Sequence, residues 1–340
     1  MIKEVISKVV DRKDLSQEEA YQTMLEIMEG EATDSQIASY ITALRMKGET
    51  IDEITGSAKA MREKAIYVDP SSDIVLDTCG TGGDRLGLFN ISTISAFVVA
   101  GCGVVVAKHG NRSVSSQCGS ADLLTGFSVN INIPKEGIER CLREIGIGFL
   151  FAPILHPAMK YAISPRREIG IRSIFNILGP LCNPARTKYQ VLGVYDEGLC
   201  RPLANVLNQL GTISAVILHS YDGADEATLF ETKIIELYNG EIKEYTIFPE
   251  DFGLKKCDLS ELKGGDVSEN LKIASDILSG KEKGPKMDVV LLNSAIGLYV
   301  VRKAPSISDG IKLADESISS GSAYFKLNEL KRISQEYSSF

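Results

Sequence analysis

The sequence predicts an α/β fold class: a small all-helical N-terminal domain followed by a larger α/β domain with a central, largely parallel sheet. Two observations support this expectation. Helix-start signals recur through residues 1–70, and from Asp73 onward short β-branched runs alternate with longer helical stretches. Such alternation is typical of parallel strands joined by helices, whose sheet is buried on both faces. We therefore expect a helical domain over residues 1–70 and an α/β domain over residues 71–340.

Three capping boxes mark the starts of helices in the first domain: Ser16–Glu19, Thr33–Gln36 and Thr50–Glu53. In each, a hydroxyl can accept from a backbone N–H three residues on, while the Glu or Gln side chain reaches back to the cap. Apolar residues such as Met24 and Ile27 follow at helical spacing. These helices therefore carry apolar stripes that need a partner surface.

Short β-branched runs predict the strands of the second domain. The runs are Ile74–Leu76, Val104–Ala107, Val191–Tyr195 and Ala215–Leu218. Residues 231–248, with Tyr238-Asn-Gly-Glu241 between two apolar stretches, indicate an added antiparallel hairpin. Two helical stretches near 286–302 and 306–335 close the chain.

Composition restricts the class of partner and the compartment. The net charge of −8 disfavours a nucleic acid, because the global field repels polyanions. Seven cysteines without a Cys-x-x-Cys pair fit neither a disulfide framework nor a zinc site. No apolar run approaches the length of a membrane span, and the N-terminus lacks a signal core. We expect a soluble, cytoplasmic protein without a membrane partner.

A glycine loop follows the first predicted strand. Thr78–Asp84 reads Thr-Cys-Gly-Thr-Gly-Gly-Asp, and Asn90–Thr93 then opens an apolar helix. Bare backbone N–H groups in such a loop and at a helix start can converge on a phosphate, although a simple tight turn has the same pattern. Arg85 occupies the place of the last glycine of a dinucleotide fingerprint, and the Gly-Lys-Ser/Thr of a nucleotide P-loop is missing.

A second polar loop follows the next strand. Lys108–Ser116 and Gly119–Asp122 hold cations, hydroxyls and an asparagine at the carboxyl end of that strand. Ligands bind at this end of open α/β sheets, so the loop suits a polyanion; a solvated loop is the alternative. His109 and His156 are candidate general bases, but His156 precedes a proline at a predicted helix start and fits a structural role equally well.

An acidic pair and a basic helix complete the candidate site. Asp225 and Glu226 follow the strand Ala215–Leu218, where adjacent carboxylates suit Mg²⁺ shared with substrate phosphates; an exposed acidic turn is the alternative. Pro165–Glu168 and Arg172 are predicted on one helix. A guanidinium there can clamp a planar aromatic carboxylate, or simply face solvent.

Together these segments resemble the anthranilate phosphoribosyltransferases over nearly the whole chain. The resemblance depends on Gly80–Asp84 with Asn90–Thr93, on Lys108–Ser113, on His156–Lys160 with Arg166 and Asn176–Leu181, and on Asp222–Glu226. It implies transfer of phosphoribosyl from phosphoribosyl pyrophosphate (PRPP) to the amine of anthranilate. It also implies that a segment near 165–185 completes the helical domain, and that the helical parts form a homodimer.

The resemblance implies a role for each matching residue. Those expected to hold PRPP are Gly80, Gly83, Asp84, Asn90, Ser92, Thr93, Lys108, Ser116 and Ser120. Mg²⁺ is expected on Ser92, Asp225 and Glu226, and anthranilate on Gly80, Asn111 and Arg166. Pyrophosphate leaves as the amine attacks the anomeric carbon, so catalysis should be positioning plus charge neutralisation. The aromatic amine is already neutral at pH 7, so no acid–base residue is assigned.

Four residues depart from the family's usual pattern. Arg85 replaces a frequent glycine, Leu88 a threonine or serine, Cys118 a serine and Thr125 a glutamate. Either Arg85 supplies phosphate-binding charge in place of the hydroxyl that Leu88 lacks, or Arg85 faces solvent and Leu88 packs beneath the loop.

Two other functions fit parts of the sequence. A pyrimidine nucleoside phosphorylase shares the two-domain plan and the glycine-rich loop, but the complete Asp222–Glu226 string favours PRPP. A non-catalytic nucleic-acid-binding relative of the same fold should have a basic surface, and the charge of −8 counts against it.

Overall fold

The N-terminal helices begin where the capping boxes predict. A computed structural model describes residues 1–84, 86–112 and 117–338. Its first four helices are α1 (Ile2–Val10), α2 (Gln17–Met28), α3 (Asp34–Lys47) and α4 (Ile51–Lys64). Ser16, Thr33 and Thr50 cap α2, α3 and α4, and each cap has both reciprocal hydrogen bonds of a capping box. These local predictions are confirmed.

The α/β part has a seven-stranded mixed sheet within the described residues. Its strands are β1 (Val75–Gly80), β2 (Val105–Gly110), β3 (Ile147–Phe151), β4 (Tyr189–Gly193), β5 (Ser214–Ser220), β6 (Thr232–Tyr238) and β7 (Glu241–Ile247). The spatial order is β3-β2-β1-β4-β5-β6-β7. The first five strands in that order pair in parallel, whereas β6 and β7 are antiparallel. The predicted hairpin and the largely parallel sheet are therefore confirmed.

Helices connect and cover the strands. They are α5 (Ile91–Gly101), α6 (Ser120–Gly126), α7 (Lys135–Ile145), α8 (Ala152–Leu155), α9 (Lys160–Ile169), α10 (Phe175–Leu181), α11 (Cys200–Gln209), α12 (Val267–Leu278), α13 (Pro285–Val300), α14 (Ile307–Ser319) and α15 (Ser322–Gln335). Within the described part of the chain, no helix combines the length and the apolar character that crossing a membrane requires.

Three details differ from the sequence-based expectations. Strand β3 was not predicted. The long helix expected over 306–335 is two helices, because Gly321 takes a left-handed φ of 79° between them. Arg172 does not lie on the helix of Arg166, since Gly170 ends α9 in a left-handed conformation.

Helices α9 and α10 pack with the N-terminal helices rather than with the far side of the sheet. Ala162, Phe175 and Leu178 share one buried cluster with Met24 and Leu44. That cluster continues through α11 to one face of the sheet, while α5, α12, α13, α14 and α15 contribute to a separate cluster. A helical bundle joined to a larger α/β domain confirms the predicted fold class.

Strand order places a topological switch point at the centre of the sheet. From β1 the chain proceeds to β2 and β3 on one side, and then returns to β4 and β5 on the other. The order thus reverses between β1 and β4. In open α/β sheets, ligands bind outside the carboxyl ends of the strands at such a switch point.

Candidate active site

Two glycines lie opposite each other on β1 and β4 at the switch point. Gly80 pairs with Gly193, and Asp225 enters between them from the loop after β5. A Cβ atom on Gly80 would lie 2.6 Å from Asp225 Oδ2, and one on Gly193 would lie 1.5 Å from the Asp225 carbonyl oxygen. Asp225 therefore reaches the switch point only because both strands end in glycine. Sequence analysis did not identify Gly193, whose role is visible only once the strands are paired.

The glycine loop is held in place by the same carboxylate. The backbone N–H of Gly82 donates to Asp225 Oδ2 at 2.9 Å, and the N–H of Thr81 donates to the Gly193 carbonyl at 2.9 Å. Gly82 and Gly83 have φ values of 64° and 85°, which side chains other than glycine rarely adopt. The turn that the sequence indicated is thus formed, and β4 and β5 fix its position.

The acidic pair lies among other acidic groups. Burial, and then Asp84, raise the pKa of Asp225. Burial, and then Asp225, raise the pKa of Glu226, while Lys108 and a hydrogen bond from Ser92 lower it. Buried carboxylates that repel one another gain most from a cation placed between them. The structure thus brings Asp225 and Glu226 near Asp84 and Ser92, which the sequence did not show directly.

Lys108 brings a buried positive charge to this cluster. Its side chain is almost fully buried, with 4% of the residue exposed. The ammonium donates to the Thr78 carbonyl at 2.6 Å and to Ser92 Oγ at 3.4 Å. Burial lowers the pKa of Lys108, whereas the nearby acidic groups, including Glu226, raise it. Lys108 and Ser92 therefore lie together next to the acidic pair.

The start of α5 carries the other predicted phosphate-binding groups. Asn90 is the N-cap, but its side chain does not cap the helix; its amide instead donates to the Cys118 carbonyl at 3.0 Å. The N–H groups of the first turn therefore receive no acceptor from Asn90, as suits an anion site. Thr93 is buried in this first turn.

The second loop links Asn111 to the start of α6. The Asn111 carbonyl accepts from Ser120 Oγ at 3.2 Å and from the Ala121 N–H at 3.2 Å. Gly110 permits this approach, since its Cβ would lie 2.4 Å from Ser120 Oγ. Asn111 and Ser120 thus lie side by side. Ser116 lies outside the described residues.

Two arginines differ in their contacts. Arg166, on α9, lies 5.1 Å from the centre of the Phe175 ring, and burial lowers its pKa. Among the described residues it has no salt bridge. Arg172 instead donates to the Gly83 carbonyl and lies 3.9 Å from the centre of the Tyr195 ring. Arg172 therefore connects the helical bundle to the glycine loop, a role that its sequence position did not reveal.

His109, on β2, and His156 form a buried pair. Their ring centres are 5.1 Å apart, and neither Nε2 atom has a hydrogen-bond partner in the described structure. Burial lowers the pKa of His109 to about 3 and that of His156 to about 4. Both rings are therefore neutral at physiological pH.

The structure describes one of the two residues near the glycine loop that depart from the family's usual pattern. Leu88 is partly buried and packs against the α/β core, while its backbone bridges to Lys263. This placement agrees with packing beneath the loop. Arg85 lies outside the described residues.

Known proteins resemble this chain over almost its whole length. Residues 72–324 match the glycosyl transferase family α/β domain, and residues 3–65 match the helical bundle domain of that family. Anthranilate phosphoribosyltransferases of Geotalea uraniireducens and Acetivibrio thermocellus are each 51% identical to the chain, covering 99% and 100% of it and 100% and 99% of their own lengths.

Solved structures give the same result. Anthranilate phosphoribosyltransferase of Thermus thermophilus has a TM-score of 0.93 at 41% identity, covering 97% of this chain and 99% of its own. The Saccharomyces cerevisiae enzyme, solved in complex with PRPP and Mg, has a TM-score of 0.90 at 26% identity, with 98% of each chain covered. The chain belongs to the anthranilate phosphoribosyltransferase family.

Proposed function

We propose that the site at the carboxyl ends of β1 and β4 binds PRPP with Mg²⁺ and transfers its phosphoribosyl group to the amine of anthranilate, releasing pyrophosphate. The observation that carries this proposal is the convergence of a glycine loop, a buried lysine and a buried acidic pair at the switch point of the sheet. A magnesium pyrophosphate group needs this combination of charges. Neither a phosphorylase nor a nucleic-acid-binding function is favoured by any observation on this chain.

The phosphoribosyl donor is assigned to the glycine loop and the segments around it. The proposed ligands are Gly80, Gly83, Asp84, Asn90, Ser92, Thr93, Lys108, Ser116 and Ser120. Support comes from the left-handed conformation of Gly83 in the glycine loop and from the uncapped first turn of α5. Lys108 adds a positive charge that burial keeps free of competing water.

Magnesium is assigned to Ser92, Asp225 and Glu226. These residues fit the ion, because their donor atoms are all oxygens and the carboxylates are buried close to one another. No three His, Cys, Asp or Glu side chains in the described residues form a self-sufficient metal site. Magnesium commonly takes its other ligands from water and substrate phosphates. When bound, it would neutralise charge that develops on the departing pyrophosphate.

Anthranilate is assigned to Gly80, Asn111 and Arg166. Arg166 is partly buried and has no salt bridge in the described structure, so its guanidinium can accept a carboxylate without breaking an existing pair. The guanidinium lies over the ring of Phe175, which is itself buried. This assignment therefore rests on a contact between Arg166 and the carboxylate of anthranilate.

The chain's own contribution to the reaction is positioning and electrostatics. The bond between the anomeric carbon and pyrophosphate breaks while the bond to the anthranilate nitrogen forms, and the nitrogen then loses a proton. Lys108 stabilises the charge on the leaving group, and the glycine loop fixes the direction of departure. Because the attacking amine is already neutral, we assign no general base, and His109 and His156 keep no chemical role.

The assembly and the domain division are proposed with this function. A homodimer through the helical bundle is supported by exposed apolar residues on its helices, including Val10 at 64% and Met46 at 70%. Residues 1–70, completed by a segment near 165–185, form the proposed helical domain, and residues 71–340 form the other. A cytoplasmic location is supported by seven free cysteines. Light scattering of the purified protein tests the dimer.

The function is tested by the fluorescence of anthranilate. We expect fluorescence to fall when the chain, PRPP, Mg²⁺ and anthranilate are mixed, and to stay constant when any one of them is omitted. Constant fluorescence at high enzyme concentration would overturn the assignment. Phosphorolysis of a pyrimidine nucleoside, measured on the same protein, would indicate the phosphorylase instead.

A further inference from the structure

A distant segment of the chain holds Leu86–Phe89, the residues between the glycine loop and α5. Leu262–Gly264, here called the support segment, lies between β7 and α12 and runs alongside Leu86–Phe89. The Gly264 N–H donates to the Gly87 carbonyl at 3.0 Å, and the Phe89 N–H donates to the Leu262 carbonyl at 3.2 Å. The two segments thus pair like short antiparallel strands, with Leu88 opposite Lys263.

The side chain of Lys263 adds a third contact. Its ammonium donates to the Leu86 carbonyl. The N–H of the same Leu86 donates to Asp84 Oδ1 at 3.1 Å. The Leu86 carbonyl is therefore bound by the support segment, and the Leu86 N–H is bound by Asp84.

Gly264 is required for this approach. A Cβ at this position would lie 2.8 Å from Phe89 Cα and 3.0 Å from Phe89 N. It would also lie 2.6 Å from Oδ1 of Asn270, a buried side chain whose amide donates to the carbonyls of Gly265 and Asp266. Neither neighbour can move aside easily, because one is backbone and the other is held by two hydrogen bonds.

The contacts lie on both sides of the proposed phosphate-binding groups. Asp84 precedes the held residues, and Asn90 follows them as the N-cap of α5. We propose that the support segment is a positioning element for the phosphoribosyl donor: it fixes Leu86–Phe89, and so sets where Asp84 and the first turn of α5 meet PRPP. None of its residues needs to touch PRPP. This inference rests on the proposed function.

Two substitutions in the support segment test the inference, each with a matched control. Gly264→Ala should press on the Phe89 backbone, and Lys263→Met should remove the hydrogen bond to Leu86. Gly265→Ala is the control for the first, since its Cβ would meet mainly the exposed side chain of Glu269, which can rotate away. Lys272→Met, an exposed lysine on α12, is the control for the second.

We expect both test variants to raise the KM for PRPP by about two- to tenfold, the range for loss of one net hydrogen bond. The KM for anthranilate should stay at the wild-type value, and both controls should match the wild type. A purely structural role would lower the melting temperature and the fraction of active enzyme, but would leave the PRPP KM of the active molecules unchanged.

An unchanged PRPP KM in the test variants, with wild-type turnover intact, would overturn the inference alone. Lys263→Met alters an exposed side chain and keeps the test decisive if Gly264→Ala does not fold. Absence of turnover in the wild type would instead overturn the proposed function on which the inference rests.

Discussion

The proposed site has a phosphate half, formed by the glycine loop and Leu86–Phe89, and an acceptor half around Arg166. The two differ in how far hydrogen bonds and salt bridges within the protein already satisfy their polar groups. In the phosphate half, Gly82 bonds to Asp225, Gly83 accepts from Arg172, and the support segment holds Leu86–Phe89. In the acceptor half, Arg166 contacts the Phe175 ring and forms no salt bridge among the described residues.

This difference separates two kinds of function. A loop that must direct a leaving group gains from contacts formed before the substrate arrives. The conformational entropy of the loop is then lost during folding and not during substrate binding. A partly buried arginine without a carboxylate partner is instead poised to gain that partner from a ligand. We therefore expect substitutions in the phosphate half to change PRPP binding and stability, and substitution of Arg166 to change anthranilate binding alone.

The largest effect is expected from the acidic pair. Asp225→Asn combined with Glu226→Gln should lower kcat by about a hundredfold or more, since oriented charge at the reacting groups typically contributes that much. Excess Mg²⁺ should partly restore turnover if the pair binds the metal. Titrating Mg²⁺ against both proteins measures this, and an identical metal dependence in the two would remove the pair from the metal site.

Arg166→Ala should have the next largest effect. Loss of a charge-assisted hydrogen bond costs about 1.5–3 kcal/mol, so the KM for anthranilate should rise about tenfold to a hundredfold. The melting temperature should fall only slightly, because the contact with the Phe175 ring is lost but no salt bridge is. Arg167→Ala, at an exposed neighbour on α9, is the matched control. Equal rises in both KM values would return Arg166 to a structural role.

Arg172→Met should have a smaller effect of a different kind. It removes the hydrogen bond to the Gly83 carbonyl and the contact with the Tyr195 ring, each worth about 1 kcal/mol in typical cases. The KM for PRPP should rise severalfold and the melting temperature should fall, while the KM for anthranilate stays constant. A rise confined to the anthranilate KM would place Arg172 in the acceptor half and contradict the separation of the two halves.

The smallest effect is expected at Leu88. Its side chain packs against the core, so Leu88→Thr should cost about 1 kcal/mol of unfolding free energy and change the PRPP KM little. Its effect on PRPP binding should add to that of Arg85→Gly in a double-mutant cycle. Coupled effects would show that Arg85 compensates for the missing hydroxyl.

Local signals explain which features could be predicted from the sequence. The caps at Ser16, Thr33 and Thr50 depend on residues three positions apart, so the pattern alone locates them. Strand β3 was missed because Ile147–Phe151 is a short apolar run that periodicity cannot distinguish from a buried helix. The break at Gly321 was missed because a single glycine can also be tolerated inside a helix.

Some site residues could likewise be predicted from local patterns, whereas others could not. Gly80, Lys108 and Asp225 follow predicted strands, so their meeting at one sheet edge follows from parallel pairing. Gly193, Arg172 and the support segment contribute through partners far away in the chain, for example 89 residues for Arg172 and Gly83. No local pattern records such a partner, which is why sequence analysis missed Gly193 and the support segment and did not predict the contact between Arg172 and Gly83.

The binding of PRPP with Mg²⁺, followed by titration calorimetry, tests most directly whether the site has two separate halves. The measurement compares the wild type with Arg166→Ala and with the Asp225→Asn, Glu226→Gln double variant. We predict that Arg166→Ala binds PRPP with wild-type affinity, whereas the double variant binds it much more weakly. If Arg166→Ala loses as much PRPP affinity as the double variant, the two halves are not separate and the account is contradicted.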